Sequence, residues 1–113
     1  MKNGADADHQ NNDGSTALMI VTVNGNEEIS RQLVAAGVAL DQKNISGDTA
    51  LIIAVRSGHS AQVKQLLDGG ADASIRNQRG EYAHGLAQAA GQTEIIEMLD
   101  HQPNAKKRFF GVF

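Results

Sequence analysis

The sequence repeats with a period of 33 residues, and this period constrains the fold more than any other feature. The residues that recur at this spacing are turn-forming or apolar. They are Asn11, Asn44 and Asn77; Gly14, Gly47 and Gly80; Gly25, Gly58 and Gly91; and Leu33, Leu66 and Leu99. No insertion interrupts the register. A fixed period of this length is typical of stacked repeat units, each of them one small supersecondary structure.

The segment 47–79 shows what one unit contains. Gly47 follows Asn44 at a spacing that suits a tight turn, in which glycine supplies a positive φ. Thr49 is predicted to be the N-cap of a short helix over 50–57, because its hydroxyl can accept a hydrogen bond from a backbone N–H. Gly58 is predicted to end this helix in the left-handed conformation.

A second helix is predicted to follow, with Ser60 as its cap and Gly69-Gly70 as its end. Its apolar residues fall at i, i+3 and i+4 on one face, at Val63, Leu66 and Leu67. Two helices this short cannot bury their apolar faces alone, so neighbouring units are expected to stack and share a core. Small residues at equivalent positions are expected to permit close approach, at Val21, Ala54 and Ala87.

Three stretches carry the same pattern, "NNDGSTALMIVTVNGN", "NISGDTALIIAVRSGH" and "NQRGEYAHGLAQAAGQ", with "NGADA" and "GGADA" at the repeat ends. The pattern resembles the ankyrin repeat family over roughly residues 1–102. The resemblance implies an all-α solenoid of stacked helix-turn-helix pairs, joined by β-turn or hairpin fingers. It divides the chain into the tail of a preceding repeat (1–11), two ankyrin repeats (12–44 and 45–77), a C-terminal capping repeat (78–102) and a basic-aromatic tail (103–113).

The chain departs from the family pattern in detail. The family's Pro at the first helical position is replaced by Ala17, Ala50 and Ala83. The family's His is replaced by Met19, Ile52 and Gly85. Because these changes remove the family's Thr–His hydrogen bonds, we expect less rigid and less stable repeats. The third copy is the most divergent, at Tyr82, His84 and Gln88, and is expected to be the C-terminal cap.

The beginning of the chain falls inside a repeat. Met1 aligns with Val34 and Leu67, so it is expected to belong to the last turn of a helix from a longer array. If the chain begins here, the apolar back of helices 17–24 and 27–36 is bare, which invites self-association. The sequence has no basic-then-apolar leader. This slightly favours the cytoplasm, although a truncated N-terminus would also remove a leader.

Composition argues against several functions. The net charge of −3 disfavours nucleic acid as a partner, because such a surface is usually basic. No stretch approaches the roughly 18 apolar residues that cross a bilayer. The chain has no cysteine, and therefore no disulfide framework and no thiolate chemistry.

We find no pattern that indicates catalysis, a metal or a cofactor. The four histidines, His9, His59, His84 and His101, show no metal-ligand spacing on a helix, and His59 stands at a structural position of the family's Gly-His. The acidic residues Glu94, Glu97 and Asp100 are expected to form a solvated helix face. The serines at Ser15, Ser46, Ser57 and Ser60 belong to turns and caps.

The C-terminal segment "AKKRFFGVF" combines basic and aromatic residues. Its phenylalanines, Phe109, Phe110 and Phe113, are expected to fold back over the last repeat. Insertion into a partner groove is the main alternative. Contact with an anionic bilayer, favoured by Lys106, Lys107 and Arg108, is a weaker one.

The resemblance implies that partners bind at the finger tips and at the exposed side of the first helices. On the fingers the corresponding residues are Asn12, Asp13, Ser15, Lys43, Ile45, Ser46, Asp48, Arg76, Gln78, Arg79 and Glu81. On the first helices they are Val23, Asn24, Arg56, Ser57 and Ala89. We predict Ile45 as the apolar contact, and Arg56, Arg76 and Arg79 as polar anchors.

These observations predict a non-catalytic module that binds a folded protein through shape and rim charge, without a cofactor. An inhibitor or immunity-type protein that occludes an enzyme is a more specific version of this hypothesis. The alternative is a structural spacer or regulatory domain of a larger protein, catalytic or not, that is truncated here at its N-terminus. The sequence names no partner.

Overall fold

The computed structural model describes residues 8–101, which form six α-helices and no β-strand. The helices are α1 (Ala17–Asn24), α2 (Glu27–Ala35), α3 (Ala50–Ser57), α4 (Ser60–Asp68), α5 (Ala83–Ala90) and α6 (Thr93–Asp100). Each consecutive pair forms one repeat, so the first, second and third repeats contain α1/α2, α3/α4 and α5/α6. The predicted first helices over 17–24 and 50–57 are confirmed, and the helix predicted over 27–36 ends at Ala35.

The ends of the first helices follow from their sequence. Thr16 Oγ1 accepts a hydrogen bond from Met19 N at 3.2 Å, and Thr49 Oγ1 accepts one from Ile52 N at 3.3 Å. These bonds satisfy backbone donors that have no partner inside the helix. After α3, Gly58 adopts a φ of 76°, a left-handed conformation that favours glycine. The predicted N-cap and C-cap of α3 are therefore confirmed.

The prediction that Ser60 caps the second helix is wrong. Ser60 is the first helical residue, and the N-cap is His59, which makes no side-chain capping hydrogen bond. The first repeat shows which position carries the cap, because Asn26, at the phase of His59, accepts from Ile29 N at 3.2 Å. His59 instead faces the preceding repeat, with its Nε2 3.4 Å from Val23 O.

The helix pairs stack side by side into an elongated body of 42 × 24 × 24 Å. First helices pack on first helices and second helices on second helices of the next repeat. Of the small residues expected at the contacts between repeats, Ala54 and Ala87 are completely buried, whereas Val21 is half-buried. The shared core is formed by larger apolar residues, including Leu18, Leu51, Val55, Val63, Leu66, Ile95 and Leu99. The stacking of repeats predicted from the period is confirmed.

The turns at 11–15, 44–48 and 77–81 are the tips of the fingers. In each one the asparagine side chain accepts from two backbone N–H groups, as Asn44 Oδ1 does from Ser46 N at 2.9 Å and Asp48 N at 3.0 Å. Neighbouring fingers are also joined, because Ile45 N donates to Asp13 O at 2.9 Å and Gln78 N donates to Ser46 O at 3.1 Å. The fingers therefore form one continuous, internally fixed edge.

The third repeat replaces the threonine cap with an aromatic contact. Tyr82 is the N-cap of α5 and makes no side-chain capping hydrogen bond. Its ring lies beside Gly85, where an added Cβ would be 3.1 Å from the ring atom Cε1. Gly85 occupies the phase of Met19 and Ile52, so the tyrosine ring fills space that a side chain fills in the other repeats.

No helix within residues 8–101 has the length and apolar character required to cross a membrane.

Candidate functional site

A groove of about 420 Å³ runs between α1, α3 and the finger tips of the first two repeats. Its lining residues are Ser15, Met19, Ile20, Val23, Asn24, Asn44, Asp48, Ile53, Arg56 and Ser57. Six of the predicted contact residues are brought together here: Ser15, Val23, Asn24, Asp48, Arg56 and Ser57. The stacking of the repeats creates the groove, because first helices and fingers of successive repeats line it together.

The groove has an exposed apolar side on α1. Ile20 is 46% exposed and Val23 is 57% exposed, and they lie three residues apart on the same helix face. Met19 and Ile53 also line the groove, but both are buried. Exposed aliphatic side chains that adjoin one another in a groove with polar edges form a candidate contact surface.

An ion pair forms the charged part of the groove. Arg56 Nη1 lies 2.9 Å from Asp48 Oδ2, and Arg56 Nη2 lies 3.1 Å from Asp48 Oδ1, a bidentate geometry. Asn77 Nδ2 also donates to Asp48 Oδ1 at 2.8 Å. Asp48 was predicted as a surface contact, and the structure places it only 5% exposed, beneath the guanidinium of Arg56. Its carboxylate therefore serves mainly as the hydrogen-bond partner of Arg56 and Asn77 within the molecule.

The same network extends to the third finger. Arg56 Nη2 is 3.2 Å from Glu81 Oε1, and this oxygen also accepts from Asn77 Nδ2 at 2.8 Å. Arg79 Nη2 lies 3.3 Å from Glu81 Oε1. Two carboxylates and two guanidiniums thus lie in contact, so their charges cancel within the network.

The network also sets the protonation states of these groups. Burial alone would raise the pKa of Asp48, but the hydrogen bonds from Arg56 and Asn77 and the nearby positive charge outweigh it, so the pKa lies below its ordinary value. For Glu81 the hydrogen bond from Asn77 is the main cause of a lowered pKa. The hydrogen bond to Asp48 likewise raises the pKa of Arg56. Both carboxylates are therefore ionised at neutral pH.

The predicted arginine anchors are all engaged within the molecule. Arg56 is held by Asp48 and Glu81, and Arg79 by Glu81. Arg76 Nη1 donates to Gly80 O at 2.9 Å, and its guanidinium carbon lies 4.2 Å from the centroid of the Tyr82 ring. That distance is typical of a cation–π contact.

Ile45, the predicted apolar contact, is 68% exposed on the second finger tip and does not line the groove. The other predicted residues outside the groove are exposed or half-buried on the fingers and on α5: Asn12, Asp13, Lys43, Ser46, Gln78, Glu81 and Ala89.

Sequence reasoning missed the groove residues Met19, Ile20, Asn44 and Ile53. The 33-residue period contains a signal for Ile20, because Ile20 shares its phase with Ile53 and Leu86 and lies three residues before Val23 on the same helix. Three aliphatic residues at one phase of the first helices predict an apolar stripe. Of the three, Ile20 is the most exposed, because Leu86 is half-buried and Ile53 is buried.

No group of three or more His, Asp or Glu residues that could hold a metal ion exists within residues 8–101. His84 Nε2 lies 2.9 Å from Asp100 Oδ1, which ties α5 to α6. Glu94, Glu97 and Asp100 are exposed, as predicted for a solvated helix face. The predictions for Met1 and for the basic-aromatic tail, including its phenylalanines, fall on residues outside the part that the structure describes.

Comparison with known proteins agrees with this architecture. A sequence model of the ankyrin repeat family, described as three copies of the repeat, matches residues 1–77. The chain belongs to the ankyrin repeat family, whose members commonly mediate protein–protein interactions and are generally not catalytic. Among solved structures, the chain is similar to an ankyrin repeat domain from Acinetobacter baumannii AYE, with a TM-score of 0.81 and 33% sequence identity. That match covers 87% of this chain and 53% of the other, so the chain spans about half the length of that domain. No curated protein matches the chain.

Proposed function

We propose that this chain is a non-catalytic module that binds a folded protein partner through the groove and the finger tips beside it. The observation that carries the proposal is the exposed aliphatic pair on α1, Ile20 and Val23, placed inside a groove with polar edges. Full burial of such a side chain contributes about 1.5–3 kcal/mol. Covering the exposed half of each would therefore contribute on the order of 1 kcal/mol per residue.

The rigidity of the surface supports the same function. Asparagine side chains and hydrogen bonds between fingers hold the tips in place, including Ile45 N to Asp13 O at 2.9 Å and Gln78 Nε2 to Ile45 O at 2.9 Å. A surface that is already ordered loses little conformational entropy when it binds. The free energy gained from contacts with the partner then contributes to affinity, because little of it has to offset the entropy lost when loops become ordered.

The test is capture of a partner from a lysate of the source cells by the full chain and by two matched variants. Ile20→Asp places a charge in the groove and is expected to abolish capture. Ala35→Asp adds the same charge at an exposed residue on α2 that does not line the groove and whose counterpart in the second repeat is Asp68, and it is expected to retain capture. Equal capture by both variants would contradict the groove assignment. If the captured protein is an enzyme, its activity with and without the chain separates an inhibitor from a spacer.

Self-association is a second candidate, and Ile29 favours it. The residues at its phase in the next repeats, Gln62 and Ile95, are 1% and 3% exposed, and Gln62 Nε2 donates to Val21 O of the preceding repeat. Ile29 thus stands where later repeats meet a neighbour. Sedimentation of the full chain should show a dimer that Ile29→Asp dissociates and Ile20→Asp leaves intact. A monomer at all concentrations would refute this second function.

A further inference from the structure

We propose that the groove selects an uncharged segment of the partner that inserts an aliphatic side chain between α1 and α3. This inference rests on the proposed function and adds the chemistry of the partner. It differs from recognition by rim charge, the mechanism that the sequence favours, and it follows from the state of the charged groups at the groove.

The groove offers no free charge. Its two charged residues, Asp48 and Arg56, bind one another through two hydrogen bonds of 2.9 and 3.1 Å. A partner carboxylate that approached Arg56 would meet the charges of Asp48 and Glu81 as well, so attraction and repulsion would largely cancel. A partner cation would have to compete with Arg56 for Asp48, whose side chain is only 7% exposed. Neither sign of charge is therefore favoured.

The groups that remain available are apolar or neutral. Ile20 and Val23 supply the apolar contact, and the side chains of Asn24 and Ser57 have no hydrogen-bond partner among residues 8–101. An amide carries both donors and an acceptor, and a hydroxyl carries one donor and accepting lone pairs. Such groups match the N–H and C=O groups of a peptide backbone. The complementary ligand is therefore a main-chain segment with an aliphatic side chain and uncharged neighbours.

This chemistry predicts weak dependence on salt. Surface charges that attract one another are screened beyond a Debye length of about 10 Å at 0.1 M salt, which lowers affinity for a charge-steered partner. Apolar contacts and hydrogen bonds between neutral groups are not weakened by this screening. We expect the dissociation constant to change by less than about threefold between roughly 50 and 500 mM NaCl.

The experiment is selection of a random peptide library, displayed on phage, against the immobilised full chain. Selected clones are then measured against Val23→Asp and against Ala35→Asp, the matched change at an exposed position outside the groove. Circular dichroism checks that both variants keep the wild-type helix content. The expected clones carry an aliphatic residue with uncharged neighbours. They bind Val23→Asp at least about tenfold more weakly than the wild type and bind Ala35→Asp with the wild-type affinity.

Two results would overturn the inference, and they differ in what else they overturn. Clones rich in Asp and Glu, or in Lys and Arg, that depend on Val23 and lose affinity in salt would refute the uncharged ligand but leave groove binding in place. A selection that yields no clone dependent on Val23 would refute the inference and also contradict the proposed function. Clones that bind both variants equally belong to this second result.

Discussion

The second and third fingers approach each other closely at Gly47, so substitution of this glycine is expected to destabilise the fold. Its φ is +80°, and a Cβ added there would lie 2.8 Å from Gln78 N and 3.1 Å from Asn77 Cα, distances at which backbone has to move. Gly80 is the matched control, because it has a φ of +78° at the same phase and an added Cβ would meet nothing within 4 Å. The two glycines therefore share the backbone strain and differ in the steric contact.

The magnitudes follow from these geometries. Alanine in the left-handed region costs about 1–2 kcal/mol. The reduced entropy of the unfolded chain returns about 0.4–1 kcal/mol of this. Gly80→Ala should therefore destabilise the chain by about 1 kcal/mol. Gly47→Ala should also displace the third finger and weaken the hydrogen bond from Gln78 N to Ser46 O, which adds about 0.5–1.5 kcal/mol.

Urea unfolding followed by far-UV circular dichroism measures the difference. With a slope of about 1–3 kcal/mol per molar urea, an extra 1 kcal/mol moves the midpoint of Gly47→Ala about 0.3–1 M below that of Gly80→Ala. Gly14→Ala should behave like Gly47→Ala, because its Cβ would lie 3.0 Å from Asn44 Cα. Equal midpoints for Gly47→Ala and Gly80→Ala would refute the argument that contact between fingers contributes to stability.

Three further predictions concern the charged network, a helix cap and the core. The pKa of Asp48 is lowered in the folded chain, so its stabilisation is complete above the unfolded value of about 3.9 and is lost as pH falls through the folded value. Urea midpoints measured from pH 7 to pH 3 should thus fall more steeply for the wild type than for Asp48→Asn, and parallel curves would contradict this. Thr49→Ala should be less stable in urea than Thr49→Ser by about 0.5–2 kcal/mol, because only serine keeps the capping oxygen, and equal midpoints would count against the cap. In thermal unfolding, Leu51→Ala should lose about 2–5 kcal/mol at a buried site, and a loss as small as that of the exposed Ile45→Ala would contradict the assigned core.

Most of the helical architecture was predictable from local signals in each repeat. Thr49 and Gly58 mark the two ends of α3, because a hydroxyl acceptor and a glycine at positive φ satisfy backbone groups that the helix itself cannot. Ser60 misled the prediction because serine is a good capping residue in general, yet it lies one position inside α4. The period would have corrected this, since Asn26 is the residue that caps at the equivalent phase.

The candidate site was less predictable because its interactions join residues far apart in sequence. Arg56 pairs with Asp48 eight residues earlier and with Glu81 twenty-five residues later. Only the stacking of the second and third repeats brings the three side chains together. The sequence indicates that Arg56 and Asp48 lie near the surface, but it contains no local signal that they bind one another. The groove likewise depends on stacking, in this case of the first repeat on the second.

Two positions of the repeat explain why the groove lies at the first two repeats. Val23, Arg56 and Ala89 share a phase, and so do Ser15, Asp48 and Glu81. Only the second repeat has an arginine at the first of these phases and a carboxylate at the second. These two side chains form an ion pair within that repeat. At the phase of Val23, the second repeat has Arg56, which binds carboxylates, and the third has Ala89, which is small. Val23 is therefore the exposed large apolar side chain at this phase. Substitution of Arg56 would therefore disturb the link between the second and third repeats as well as any contact with a partner. The side chain of Val23 forms no such link. For this reason Val23, rather than Arg56, is the residue whose substitution reports on binding alone.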